Sequence, residues 1–457
     1  MFWKKNKETN NNNITKINKK IIIIGGGLSG LISGIHCLLK GMDVTLIEKN
    51  SQLGGKLAIP KHEDYPYLIY NKTKFTDLLN EINISITLNN HLILDNITSN
   101  YNDFIKFLYD NSIDDDNTIN QFCDELLRQI NNKKPNNKYE KISIKDYVLS
   151  FNSETIKNKL LSLLPNDLSV SVLYKYLSLY LKGEIALYDS SITNKIINKY
   201  TELGGKYLLN KEVEKFTFDK KNIVSNVILK DNSIIEGDYF ISAIDPNYTL
   251  SVLLNNKFTY VLNLLYKDYM NYKMDYRISF LFAINKPFEY NNISVLSNEL
   301  KVNSSKVDYI TFKKSQNNKY IYCEIYQNYD DYDYLKIIID KGSLYQEAKK
   351  KLIKEIIDIF NNNFKDYKIT YKDIVTLLDV NKNYNSFRGT YNAFLETPKN
   401  SKINGTCNIK NLKNVFLCSP VLLYTGGITN SLLIGKQSVK ILEEAIKNEK
   451  EEEIWFT

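Results

Sequence analysis

Arginine is nearly missing from this chain. Only Arg128, Arg277 and Arg388 occur among 60 basic residues in 457, so the net charge of +8 rests on lysines dispersed among acids. A nucleic-acid groove clusters its cations and favours the bidentate arginine fork. No such cluster is present, and nucleic-acid binding is not expected. Heavy use of Asn, Ile, Lys and Tyr reads instead as the codon bias of an AT-rich genome. Histidine is equally scarce, and His36, His62 and His91 show no metal-ligand spacing, so no metal is expected. The five cysteines, Cys37, Cys123, Cys323, Cys407 and Cys418, are odd in number and hold no C-x-x-C pair. That excludes a disulfide framework and fits free thiols in a reducing, cytoplasmic compartment. Long apolar runs are also lacking, with none near the roughly 20 residues of a membrane span. Residues 1–19 are polar, Asn-rich and without an apolar segment, which reads as a disordered leader and not a signal peptide.

What is present is concentrated between Ile21 and Lys56, IIIIGGGLSGLISGIHCLLKGMDVTLIEKNSQLGGK. Ile21, Ile22, Ile23 and Ile24 form a β-branched run, the pattern of a strand buried on both faces of a parallel sheet. Gly25, Gly27 and Gly30 follow at G-x-G-x-x-G spacing, and Leu31, Ile35, Leu38 and Leu39 repeat at helical period. In that context Gly25 allows the tight turn, Gly27 lets a pyrophosphate approach the backbone, and Gly30 brings helix against strand. The helix N-terminus, from Gly26 through Leu28 and Ser29, faces the phosphates. A second strand, Val44 to Ile47, delivers Glu48 eighteen residues past Gly30, where a carboxylate accepts both ribose hydroxyls and repels a 2′-phosphate. NADP is therefore disfavoured.

Gly54 and Gly55 come shortly after the acid. A nicotinamide dehydrogenase has no need of them, whereas a chain wrapping FAD passes its backbone close to the diphosphate a second time. This stretch, Glu48-Lys49-Asn50 and then Gly54-Gly55-Lys56, resembles the FAD-binding head of the amine oxidase and phytoene desaturase superfamily. The resemblance implies FAD, with Lys49, Gly55 and Lys56 among the residues that hold it.

From about Ala58 to Ile192 the periodicity is helical, as in Tyr101 to Leu108, Thr118 to Ile130 and Val170 to Leu181. Ser143 reads as a helix cap with Asp146 as its acidic partner. Val170 to Leu181, VSVLYKYLSLYL, suits a core helix first and a membrane-surface or substrate-tunnel helix second. A helix to Leu203, a turn at Gly204 and Gly205, and strands at 206–209, 213–218, 223–229, 234–236 and 239–243 follow. The match LGGKYLLNKEVEKF resembles the family's second FAD block, which implies that the backbone of Val213 lies beside the adenine. Further on, Arg277 to Ile284 and Tyr320 to Tyr326 read as strands and Tyr345 to Phe360 as an amphipathic helix. The tyrosines at 320, 322 and 326 suit a sheet surface first and a pocket lining second.

The last block has a strand at Val415 to Leu417, a turn at Tyr424 to Gly427 and a helix from Ile428 to Glu444. Gly426 and Gly427 permit a close approach, and a helix N-terminus at Gly427 and Ile428 would stabilise charge on a reduced flavin. With SFRGTYNAFLETPK upstream, this block resembles the closing segment of phytoene dehydrogenase-related flavoproteins. Three stretches depart from the family pattern: PKHEDYPYLIYN after the first Gly-Gly, LYDSS near Asp189, and Ser419-Pro420 after the last strand.

The expected fold is α/β. A discontinuous, doubly wound Rossmann-like FAD domain (20–59, 192–245 and 376–457) carries a mixed α+β substrate domain (60–191 and 246–375). The resemblance implies hydride abstraction from a C–C bond of a small hydrophobic, isoprenoid-like substrate, with peripheral membrane contact as an accompanying expectation. An amine oxidase acting on a C–N bond and a degenerate, non-catalytic flavin-fold partner stay open. No residue declares itself as a catalytic base, and Arg388 is a candidate substrate anchor.

Overall fold

The structure, a computed structural model, describes residues 17–58, 65–91, 94, 97, 99–113, 116–133, 136–219, 223–258, 272–302, 305–328, 330–339, 341–400 and 405–455. Most of the expected leader and the start of the PKHED stretch lie outside the described residues.

The four isoleucines build the strand Lys20–Ile24, with none of them more than 4% exposed. Burial on both faces requires neighbours on both edges, and the strand pairs in parallel with Asp43–Ile47 and with Tyr239–Ser242. The complete sheet runs Asn408–Ile409, Leu412–Leu417, Tyr239–Ser242, Lys20–Ile24, Asp43–Ile47, Lys206–Leu208 in space. All pairings are parallel except the terminal hairpin. From its central strand the chain moves first toward one edge and later toward the other. The carboxyl ends of Lys20–Ile24 and Tyr239–Ser242 are therefore a topological switch point, where doubly wound sheets leave a crevice.

Helix Leu28–Leu39 crosses between the first two strands, and helix Ile428–Trp455 packs against it. That second helix runs eleven residues past the expected end at Glu444. Gly435 sets their separation, since a Cβ there would stand 2.9 Å from Ile32 Cβ and 3.0 Å from the Ser29 carbonyl oxygen. An antiparallel meander, Val213–Phe218, Val224–Leu229 and Ile234–Glu236, hangs beside the sheet. The same hydrophobic core also takes in Ile69, Phe75, Leu79 and Ile84, which anchor the helix Lys72–Asn80 region to the nucleotide fold.

A second core gathers the helices Tyr101–Asp110, Asp116–Ile130 and Val170–Leu181. Ser143 caps its short helix by accepting from the Asp146 amide at 3.0 Å. In Val170–Leu181, Leu173, Tyr174, Tyr176, Leu177 and Tyr180 are all buried, so this helix is core.

A five-stranded antiparallel sheet completes the molecule, ordered Asn292–Val302, Ser305–Lys314, Tyr320–Tyr326, Arg277–Ile284, Ile369–Val375. Strand alternation gives it two different faces. Ile278, Phe280, Phe282, Phe312, Ile321, Cys323 and Ile325 pack under helix Ser343–Asn363 through Ile356 and Phe360. Burial of such side chains contributes about 1.5–3 kcal/mol apiece. The other face holds the cross-strand pairs Arg277 with Tyr326, Ser279 with Glu324, Leu281 with Tyr322 and Lys313 with Tyr322. It turns polar and tyrosine-rich groups toward the nucleotide fold. Among the described residues no helix is long and apolar enough to cross a membrane.

Candidate dinucleotide site

The crevice at the switch point is a cleft lined from both sides. Of the residues expected at the cofactor, Gly25, Gly27, Leu28, Ser29, Glu48, Lys49, Gly55, Lys56, Val213, Gly427 and Ile428 line it together. Gly26 and Gly30 support this wall from behind. The Gly26 amide donates to Glu48 Oε2 at 2.7 Å, and a Cβ on Gly30 would collide with the Gly25 carbonyl oxygen.

The three motif glycines thus do three different jobs. Gly25 takes φ +104°, which an L side chain resists. Gly30 allows helix and strand to touch. Gly27 has an extended backbone, φ −74°, so its value lies in space and not in a left-handed conformation. A Cβ there would meet only Gly55 Cα, at 3.9 Å, and would otherwise project into open room. Gly427 also has nothing within 4 Å of a Cβ, but its φ of +93° makes glycine a backbone requirement as well. Helix Leu28–Leu39 begins at Gly27 with no side-chain cap, which leaves its first amides and its dipole for an anion. Gly54 bonds back onto this turn, its amide donating to the Gly26 carbonyl at 2.9 Å.

Glu48 is 6% exposed. Its Oε1 accepts from the Asn50 amide at 2.9 Å while Oε2 accepts from Gly26. Each carboxylate oxygen has a further lone pair, so two acceptors remain for ribose hydroxyls. The Lys49 ammonium donates to the Lys382 carbonyl at 2.7 Å and to Asn385 Oδ1 at 2.6 Å, and Asn50 Nδ2 donates to the Asn383 carbonyl at 3.2 Å. These bonds fasten a strap, Asn383 to Ser386, along the cleft. A dinucleotide fits this set: open glycine backbone, an uncapped helix start and an acid at the end of the second strand.

The sheet supplies the opposite wall through Arg277, which the sequence reading did not single out. Its guanidinium bonds Asp275 at 2.8 Å, Glu324 and, at 3.3 Å, the Tyr65 hydroxyl, and the Tyr391 ring centroid lies 4.6 Å from it. Lys313 is the second cation on Glu324, at 2.7 Å. Burial opposes charge on both Arg277 and Glu324, yet their mutual attraction, with Asp275 and Lys313, holds the one protonated and the other below the usual carboxylate range. Burial pushes the Lys56 ammonium down to about 8 against the pull of Asp245 and Asp275, and it donates to the Thr390 carbonyl at 2.7 Å. Scarcity was the available signal for Arg277: an arginine opening an apolar strand in a lysine-biased chain. Tyr322 packs edge-on against Tyr65 with centroids 4.9 Å apart, behind the wall. Arg388 pairs with Asp333 at 2.7 Å. Pro420 opens a short 3-10 turn, Pro420–Leu423, and lines the cleft with Ser419.

The fold and this cleft define an α/β protein with a Rossmann-type dinucleotide-binding domain. The family model described as NAD(P)-binding Rossmann-like domain matches residues 23–72. The chain is 41% identical over 71 residues to a 4,4′-diapolycopen-4-al dehydrogenase of Metabacillus indicus, and 37% identical over 70 residues to a 4,4′-diaponeurosporene oxygenase of Staphylococcus haemolyticus. These matches span 14% and 13% of this chain and 14% of the length of each relative. Among solved structures, an oxidoreductase from Methanosarcina mazei shares the fold with TM-score 0.61 at 14% identity, over 92% of this chain and 99% of that one. A putrescine oxidase variant shares it with TM-score 0.53 at 12% identity, over 94% and 100%.

Proposed function

We propose that the chain is an FAD-dependent oxidoreductase that desaturates a small hydrophobic, isoprenoid-like substrate. The observation that carries this reading is the second glycine pair, Gly54–Gly55, bonded onto the first glycine turn and lining the same cleft. A nicotinamide site does not call for that second approach of backbone to diphosphate. The names of the two relatives, built on diapolycopene and diaponeurosporene, support the substrate class.

In this reading the amides from Gly27 to Ser29 hold the diphosphate, Glu48 the adenosine ribose, and the Val213 backbone lies beside the adenine. The helix start at Gly427 and Ile428 faces the flavin ring with its positive end. When bound, FAD supplies hydride abstraction. The chain's own contribution is orientation and exclusion of water: Leu57, Tyr67 and Val421 line the remaining wall with apolar surface.

A visible flavin spectrum in the purified protein tests the cofactor. Loss of hydrogen from an isoprenoid under anaerobic conditions with an added electron acceptor tests the reaction. Peroxide release with an amine panel and no such turnover would make it an amine oxidase instead. A colourless protein that binds no added FAD would be a non-catalytic relative.

A further inference from the structure

Arg277 and Tyr391 face the cleft with hydrogen-bonding capacity that the chain does not use. Arg277 Nε and the Tyr391 hydroxyl are buried and have no partner among the described residues, and Ser386 Oγ is a third such atom. All three residues line the cleft. The two side chains are held in place: Arg277 by Asp275 and Glu324, Tyr391 by its stacking on the guanidinium and by the backbone bond of its amide to the Asp275 carbonyl at 2.9 Å. A buried polar atom left unpaired costs about 1–3 kcal/mol, so rigidly held donors on a cleft wall are arranged for an acceptor that arrives from outside.

The charges say what kind of acceptor. Arg277, Lys313 and Lys56 are matched by Asp275, Glu324 and Asp245, three cations against three anions. A carboxylate or phosphate would add an uncompensated charge to a desolvated site, whereas a neutral oxygen would not. Arg277 Nε–H and the Tyr391 O–H are donors, and burial holds the Tyr391 phenol well above its ordinary range.

We propose that Arg277 and Tyr391 form a subsite for a neutral carbonyl oxygen. A substrate of mostly hydrocarbon character that carries one carbonyl would be oriented by it, its chain along the apolar wall and its oxygen on the sheet face. This rests on the flavoprotein reading for its setting, and the flavin ring has carbonyls of its own that share this chemistry.

Calorimetric binding of farnesal and of the hydrocarbon farnesene is measured on the protein as purified, for wild type, Tyr391→Phe and Arg277→Lys, with FAD titrations of the same proteins. The phenylalanine deletes only the hydroxyl, and the lysine keeps the charge while removing Nε–H. Because the hydroxyl has no partner among the described residues, Tyr391→Phe is expected to melt no lower than wild type. Farnesal is expected to bind more tightly than farnesene, and Tyr391→Phe to weaken farnesal by about two- to tenfold while leaving farnesene unmoved. A fall in FAD affinity of that size with farnesal unmoved assigns the oxygen to the flavin ring. Equal binding of farnesal and farnesene, with FAD affinity unchanged in folded variants, overturns the subsite. A protein that takes up no FAD sinks the flavoprotein reading alone, since the farnesal comparison does not depend on it.

Discussion

Glu48 Oε2 accepts the Gly26 amide at 2.7 Å, so the acid at the end of the second strand also braces the glycine turn at the end of the first. In the proposed reading, cofactor recognition and local stability share one side chain. Glu48→Ala is expected to weaken FAD binding by about 1.5–3 kcal/mol, the range for bonds to a charged group, and to lower the stability of the cofactor-free protein as well. Glu48→Gln can keep the Gly26 bond but sets its amide nitrogen against the Asn50 amide, so it should melt between Glu48→Ala and wild type. Titration and thermal melts of the two variants separate the roles, and equal melting of Ala and wild type would remove the bracing.

Gly27 and Gly30 should fail in different ways. Gly27→Val places its side chain in open cleft on an extended backbone, so the protein folds and loses the cofactor. Gly30→Ala drives a methyl into the Gly25 carbonyl and parts helix from strand, so it loses stability with or without cofactor. Soluble yield and bound FAD are the two readouts, and a Gly27→Val protein carrying full FAD would deny the pyrophosphate its place there.

Lys56 makes stability depend on pH in a defined window. Burial puts its folded pKa at about 8 against 10.5 unfolded, so between these values the unfolded chain binds more protons than the folded one. Stability contributed by this group therefore rises as pH rises from about 8 toward 10.5. The slope approaches about 1.4 kcal/mol per pH unit at most. Denaturation of wild type and Lys56→Met across that range should show the difference growing in favour of wild type, and parallel curves would mean the ammonium is better solvated than its surroundings imply.

Pro420 sits at the first position of its 3-10 turn, where a fixed φ is an advantage. Three residues in positive φ follow close behind, Tyr424 at +67°, Gly426 at +66° and Gly427 at +93°. Pro420→Ala is expected to destabilise by about 0.4–1 kcal/mol through the unfolded chain. Pro420→Asp is expected to weaken FAD, because a looser turn displaces Gly427; tighter binding would show instead that the proline had taken the place of a cofactor ligand.

The nucleotide half was readable because its signals are local. Ile21 to Ile24, the glycine spacing, Glu48 and Gly54–Gly55 all fall within one stretch, and each residue type is demanded by backbone geometry near by. The wall across the cleft was not. Its charges sit singly on apolar strands, Arg277 opening RISFLFAI and Glu324 within YIYCEIY. Only long-range pairing shows that the polar face is covered, so Arg277 and Glu324 look from sequence like surface charges. The strap at Asn383 to Ser386 carries ordinary turn residues, and its role comes from Lys49 and Asn50, more than 330 positions earlier.

That separation along the chain has a consequence for biosynthesis. The cleft takes residues from Ile24 at one extreme to Ser431 at the other, and its central strand waits for partners at Tyr239–Ser242 and, beyond them, Leu412–Leu417. At about 5–20 residues per second, a ribosome leaves the glycine turn without its far wall for tens of seconds. A dinucleotide therefore cannot be captured in the finished site until Ser431 has emerged, and the isoleucine strand lacks one of its two neighbours until Tyr239–Ser242 follows it.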